Sequence, residues 1–242
     1  MEISTTSRRA RRLGSVLEPV VGQVYFSPEC HVNDVALGFD PSRGRAGGVA
    51  LPDGPAYFAS RGSVLGQVSG EVVAAAFGVF SAAVVVPAVE LAWTRTDAET
   101  IRIARSDGAV AQLRRLLGDR PAGAERVREL LQRAAAALPF NGRPMAARSH
   151  SCTRGWTTDE FDSSEHRLRD RGYLDGEGAD AHLSQQGRHA REQFEVATDE
   201  QMAPALDALG GEIEELFGIV TPWGESIRAA HGYLSAGPHD LG

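Results

Sequence analysis

Apolar residues recur at three- and four-residue spacing from Ser7 to Phe26, at Leu13, Val16, Leu17, Val20, Val21 and Val24, and this spacing predicts an amphipathic helix. Ser27 is a natural N-cap for a second helix, with Pro28 at its first position and Glu29 complementing the helix dipole. That helix runs through Val32, Val35, Ala36 and Leu37 to Gly38. Residues 40–55, rich in Gly, Pro, Asp and Arg, read as an exposed loop or flap, and Tyr57-Phe58 restart ordered structure. Ser69 caps a helix that carries an apolar run through Phe77 and Phe80 to Trp93 and bends at Pro87. Thr96 caps the next helix, with Glu99 completing a capping box, and it ends at Leu117-Gly118. A further helix spans Ala124 to Leu138, stopped by Pro139, and Phe140 to Pro144 is a turn.

The pattern then changes. A short helix from Met145 to Arg154 precedes a turn at Gly155-Trp156. Thr157 and Glu160 form a capping box for a helix to Arg171, which stops at Gly172. Tyr173-Leu174 and Ala181-His182-Leu183 read as two short strands around the turn Asp175 to Gly178. Ser184 caps a long helix through Phe194 and Val196, followed by helical segments at Met202–Leu209, Glu212–Phe217 and Trp223–Ala230 and a frayed tail from Ser235. The fold class expected is mainly α, with a helical N-terminal domain over residues 1–143 and a winged-helix-like module with a small two-stranded wing over residues 144–242.

Composition adds compartment more than function. Hydrophobic residues make up 42% and charged residues 24%, the balance of an ordinary globular protein. Every basic side chain other than histidine is arginine, which points to a GC-rich bacterial genome. Two distant cysteines, Cys30 and Cys152, make no disulfide framework and read as free thiols in a cytoplasmic protein. The charged N-terminus lacks the apolar run of a secretory signal. Val72 to Val89 is uncharged and reaches the roughly 18-residue span of a membrane helix. Its Ala, Val and Gly content, Pro87 and acidic flanks favour a buried soluble helix, so no membrane partner is expected.

The segment from Trp156 to Asp199 carries helix, two-stranded wing and long helix in winged-helix order. Leu168, Arg171-Gly172-Tyr173-Leu174, Leu183-Ser184 and Gly187-Arg188 resemble the recognition helix, wing and following helix of MarR-type regulators. Over most of residues 8–210, through VLEPVVGQVYFSPECHVNDVALGF and PAYFASRGSVLGQVSGEVVAAAFGVF, the chain also resembles an actinobacterial family of helix-turn-helix or MarR-like proteins of poorly defined role. Relative to that family the stretch between Arg143 and the RGW turn is short. The resemblance implies a cytoplasmic regulator, a homodimer and, in one form, DNA as partner through Arg167, Arg169, Arg171 and Arg188.

Charge argues against that last implication. Residues 1–152 hold 18 Arg and 14 acids, whereas residues 153–242 hold 7 Arg and 18 acids. The helix placed as recognition helix carries Asp159, Glu160, Asp162, Glu165 and Asp170, and the wing is acidic as well. Phosphate contacts need basic groups, so carboxylates there repel a duplex. The cluster Arg8-Arg9-Arg11-Arg12 reads as a solvated helix end.

A small-molecule pocket is the leading candidate site. YFSPECH and YFASRG bring Tyr25, Phe26, Glu29, His31, Tyr57 and Arg61 into one set, with Phe77 and Trp93 as further walls. Aromatic walls with a few polar groups suit a small apolar or aromatic ligand. Arg61 can grip a carboxylate or phosphate, or instead pair internally with Glu29 or Glu71. Cys30-His31 and His150-Ser151-Cys152 lack metal-ligand spacing, and no cofactor is implied. No nucleophile elbow, phosphate-binding loop or zinc-protease helix occurs, so the sequence leans away from catalysis. The readings in order are a non-catalytic ligand-binding or regulatory protein, a MarR-like DNA-binding regulator, and a secondary-metabolism enzyme on a regulator fold.

Overall fold

The computed structural model describes residues 4–137, 155–177 and 180–235. The short helix expected at Met145–Arg154 and the turn at Phe140–Pro144 lie outside them. The chain is mainly α with two small antiparallel sheets. In order the helices are α1 (Thr5–Gly22), α2 (Pro28–Ala36), α3 (Gly54–Gly62), α4 (Gly70–Phe77), α5 (Ala82–Trp93), α6 (Ala98–Leu117), α7 (Ala124–Ala137), α8 (Thr158–Asp170), α9 (Gln185–Glu200), α10 (Ala203–Leu209) and α11 (Ile213–Ala229). Strands β1 (Arg45–Ala46) and β2 (Val49–Ala50) precede α3, and β3 (Leu174–Asp175) and β4 (His182–Leu183) form the wing between α8 and α9.

Several boundaries depart from the pattern in the sequence for local reasons. The first helix tightens into a 3-10 turn at Gln23–Phe26, where Gln23 turns inward and its side-chain carbonyl accepts a hydrogen bond from Gln112 at 2.7 Å. The stretch read as a flap contains a hairpin with Ala46 opposite Val49, and Val49 is fully buried. Its two turn residues, Gly47 and Gly48, both have positive φ, which a two-residue hairpin turn requires. The apolar run from Gly70 to Trp93 is broken at Gly78 (φ +62°), and Pro87 lies inside the second of the two helices that result. That break turns Phe77 and Phe80 back onto Phe58, with ring centroids 6.2 and 5.1 Å away. Asp97, not Thr96, caps α6, because its carboxylate accepts from both Glu99 and Thr100 backbone N–H groups at 2.9 Å. The segments Glu212–Phe217 and Trp223–Ala230 join as the single helix α11, since Phe217, Val220, Gly224 and Ile227 share one buried face across Pro222. The capping box at Thr157 and Glu160 and the Ser184 cap form as the sequence predicts.

The largest apolar cluster draws Ala10 and Leu13 of α1, Val127 and Leu130 of α7, and Leu209, Ile213, Phe217 and Val220 of α10 and α11 into one core. Helices on both sides of residue 143 therefore bury each other's apolar stripes. Ion pairs follow the same seam. Arg11 binds Glu192 at 2.9 Å and the buried Asp199 at 2.7 Å. Arg12 meets Glu214 at 2.9 Å and lies over the Phe217 ring, and Arg126 and Arg133 both hold Glu212. Arg11 and Arg12 are thus tied into ion pairs across this seam; Arg11 is part-buried, whereas Arg8, Arg9 and Arg12 stay exposed, as a solvated helix end would be. No helix among the described residues is long and apolar enough to cross a membrane.

Candidate functional site

Seven of the eight residues expected to line one pocket occupy three adjoining environments, and Trp93 lies outside them. The first is an aromatic cluster around Arg61, the last-turn basic residue of α3. Its guanidinium lies 4.8 to 5.9 Å from the ring centroids of Tyr25, Tyr57, Phe77 and Phe80, and Nη1 donates to the Tyr57 hydroxyl at 2.7 Å. Tyr25 and Tyr57 meet edge to face at 5.3 Å. The internal partners considered for Arg61 are engaged elsewhere. Glu29 pairs with Arg115 at 2.5 Å, and Glu71 is fully exposed and held by Ser69. Among the described residues no carboxylate forms an ion pair with Arg61. Cation–π contact offsets part of the loss of hydration but supplies no counterion, and none comes from the described residues.

The second environment is a cavity of about 10 Å³, the size of one water, lined by Tyr25, Cys30, His31, Asp34, Ser60 and Arg105. Neighbouring helices pack tightly here: a Cβ on Gly108 of α6 would come within 2.6 Å of the Cys30 backbone. His31 faces the Tyr25 carbonyl through Nε2 at 3.1 Å, which assigns the proton to Nε2 and leaves Nδ1 as a buried acceptor with no partner among the described residues. Burial lowers the His31 pKa, against the opposing effect of that hydrogen bond. Burial, followed by the charge of Asp53, pushes the Asp34 carboxyl up to about 6. Burial likewise raises the Cys30 thiol to about 11, so it stays protonated near neutral pH.

The third is a more open, polar cavity of about 270 Å³, lined by Phe26, Glu29, Arg45, Gln112, Arg115 and His231 among others. Burial alone would raise the Glu29 carboxyl, but the Arg115 hydrogen bond and charge, a backbone hydrogen bond and the Ser27 hydroxyl together outweigh it and hold Glu29 below its ordinary range. Trp93 stands apart, packed in the α3–α5 core with its indole N–H on the Val68 carbonyl at 2.7 Å. The sequence does not single out Phe80, Asp34, Arg45, Arg105, Arg115 or His231. The first comes into play only through the break at Gly78, and the others only when α2, α6, the hairpin and the end of α11 converge.

The winged module presents a different surface. No residue of α8 is buried. Asp159 and Asp162 are exposed, and Asp170 lies 3.8 Å from His166. Of the arginines assigned to phosphate contact, Arg169 is tied to Glu165 at 2.5 Å, Arg167 donates to Ser164 at 3.1 Å, and Arg188 donates to the Leu183 carbonyl at 2.6 Å. Arg167, Arg171 and Arg188 are nevertheless exposed. The wing adds exposed Asp175, Glu177 and Asp180. The module is fastened to the N-terminal helices through α10 and α11, which pack on α1 and α7, and at two further places. Helix α9 packs on α1 through Arg11, and Trp156 donates to the Val79 carbonyl at 2.9 Å in the α4–α5 turn. Among the described residues no group of three side chains suited to a metal comes together, and His150 and Cys152 lie outside them.

The sequence matches a family model described as the Helix-turn-helix family, over residues 10–152 and again over residues 147–234. No curated protein and no solved structure matches the chain.

Proposed function

Since the chain belongs to the helix-turn-helix family, we propose that it is a non-catalytic regulatory protein that binds a small aromatic anion at Arg61 and acts through its winged module on a protein partner. The observation that carries this reading is the guanidinium set among four aromatic rings with no acidic partner among the described residues. A carboxylate on an aromatic ligand supplies the missing counterion while its ring extends the existing edge-to-face stack. On this reading residues 1–143 sense the ligand and residues 144–242 transmit it, as a cytoplasmic MarR-like homodimer. Exposed apolar residues on the module, Leu168 on α8 and Phe194 on α9, favour contact with protein over contact with phosphate.

Thermal unfolding with benzoate, phenylacetate and 2-naphthoate tests the ligand claim. At a concentration near 100 Kd a ligand adds about 2.7 kcal/mol, a rise in Tm of roughly 5–10 °C for a chain of this size. The expected result is such a rise in the wild type and its loss in Arg61→Gln. No stabilisation by any of the three, or equal stabilisation of Arg61→Gln, contradicts the proposal.

A second reading, DNA binding, is favoured by the family match and by the exposure of Arg167, Arg171 and Arg188. It requires that replacing those three by alanine weaken binding to the gene's own upstream duplex and flatten its salt dependence. An unchanged affinity in the triple variant removes it.

A further inference from the structure

The polar cavity of about 270 Å³ is independent of the Arg61 cluster and carries chemistry of its own. Two arginines reach it from different elements, Arg45 from the hairpin and Arg115 from α6. Arg45 forms no ion pair among the described residues; its guanidinium donates only to the Gly48 carbonyl. Arg115 neutralises Glu29 through Nε and Nη2 and donates to Gln112 through Nη2, which leaves Nη1 without an acceptor among the described residues. Gln112 is itself buried and locked by Gln23 and the Gly232 carbonyl, so Arg115 is held in place.

His231 completes the set. It is the one non-glycine residue with positive φ (54°) among the described residues. It stands directly after α11, where a left-handed residue ends a helix and glycine is the unstrained choice. Its ring lies against the hairpin turn: a Cβ on Gly48 would come within 3.0 Å of His231 Nδ1. A strained histidine that faces a cavity beside two arginines has the character of a ligand group.

We propose that this cavity binds a small phosphomonoester. A phosphate carries about −1.5 to −2 charge and three acceptor oxygens, which suits donors converging from the hairpin, α6 and the end of α11 better than a planar carboxylate does. Glu29 does not oppose it, because both its oxygens are held by Arg115. Phe26, Pro28, Ala50 and Ala230 offer an apolar wall to a small organic group. The volume of about 270 Å³ limits the ligand to metabolite size.

Calorimetric titration of phenyl phosphate into the full chain tests this. In an Arg61→Gln background, which removes the aromatic-anion site, phenyl phosphate still binds, benzoate binds at least tenfold more weakly, and adding Arg45→Gln weakens phenyl phosphate at least tenfold. The pair wild type and Arg45→Gln shows the same loss should Arg61→Gln not fold. His231→Gly is expected to raise Tm, by relieving the strained φ, and to weaken phenyl phosphate, an opposition that a purely structural histidine would not give. Absence of binding, equal binding in Arg45→Gln, or equal affinity for benzoate overturns the proposal. Binding lost with Arg61→Gln alone, and kept in Arg45→Gln, places the ligand at the aromatic cluster and also overturns it.

Discussion

Asp34 is a buried acid with no hydrogen-bond donor among the described residues, and it has Asp53 as an acidic neighbour. Its pKa rises from the ordinary 3.8 to about 6 on folding. For an acid whose folded value is raised, the folded state is favoured while the group is protonated, and stability is lost as pH climbs from about 4 through 6. A shift of that size is worth roughly 3 kcal/mol. Asp34→Asn should therefore be more stable than the wild type at pH 8 by up to that amount and lose the decline between pH 4 and 7, read by urea denaturation across the range. An unchanged pH profile in Asp34→Asn removes the argument. Cys30 is expected to resist iodoacetamide in the folded protein at pH 8, because burial keeps the thiol protonated, and to react once urea is added; mass spectrometry of the Cys30 peptide reads both states. Neither behaviour was legible in the sequence, where Asp34 is one more polar residue on a helix. Only the packing of α2 on α6 takes it out of water.

Elements were legible where the signal is local. The capping box at Thr157 and Glu160, the cap at Ser184 and the glycine stop at Gly118 each depend on residues within a few positions, and all form. The hairpin at Arg45–Ala50 was missed although its Gly47-Gly48 turn is a local signal, because only two residues pair on each side. The break at Gly78 follows glycine's own preference for the left-handed position at a helix end, whereas the unbroken course of α11 through Pro222 goes with tertiary burial and against proline's preference along the chain. The candidate site was legible in its residue types and not in its partition, since nothing in one sequence separates Glu29 from Arg61. Gly155 belongs to this scale too. It has φ +77°, and a Cβ there would lie 2.2 Å from Val84 of α5. Gly155→Ala should cost roughly 2–4 kcal/mol, combining the left-handed penalty with overpacking. Chemical denaturation measures it, and a loss below the error of the method would mean the RGW turn does not seat against α5.

At the scale of the whole molecule, the uneven charge of the two halves has a structural meaning. Basic residues of α1 and α7 pair with acids of α9, of the turn before α11 and of the first turn of α11: Arg11 with Glu192 and Asp199, Arg12 with Glu214, Arg126 with Glu212 and Glu215. These pairs differ in worth. Asp199 is buried, so Arg11→Ala strands a charge and should cost roughly 2–3 kcal/mol, the low end for a broken buried pair because Arg11 is itself a third exposed. Arg12 and Glu214 are both about half exposed, and the pair itself is worth about 1 kcal/mol at most. Arg12→Gln should accordingly destabilise less than Arg11→Ala in the same denaturation series.

That pairing consumes acids of α9 and α11 but none on the outward side of α8 or on the wing, where Asp159, Asp162, Asp175, Glu177 and Asp180 stay exposed. The family's architecture is kept while carboxylates crowd the surface that would read a duplex, and the proposed function takes that surface to repel one. Fluorescence anisotropy of a labelled duplex from the gene's own upstream region, titrated with the full chain at about 50 mM salt where nonspecific attraction is strong, measures this directly. The account expects no saturable binding. Saturable binding that weakens steeply as salt rises would contradict it.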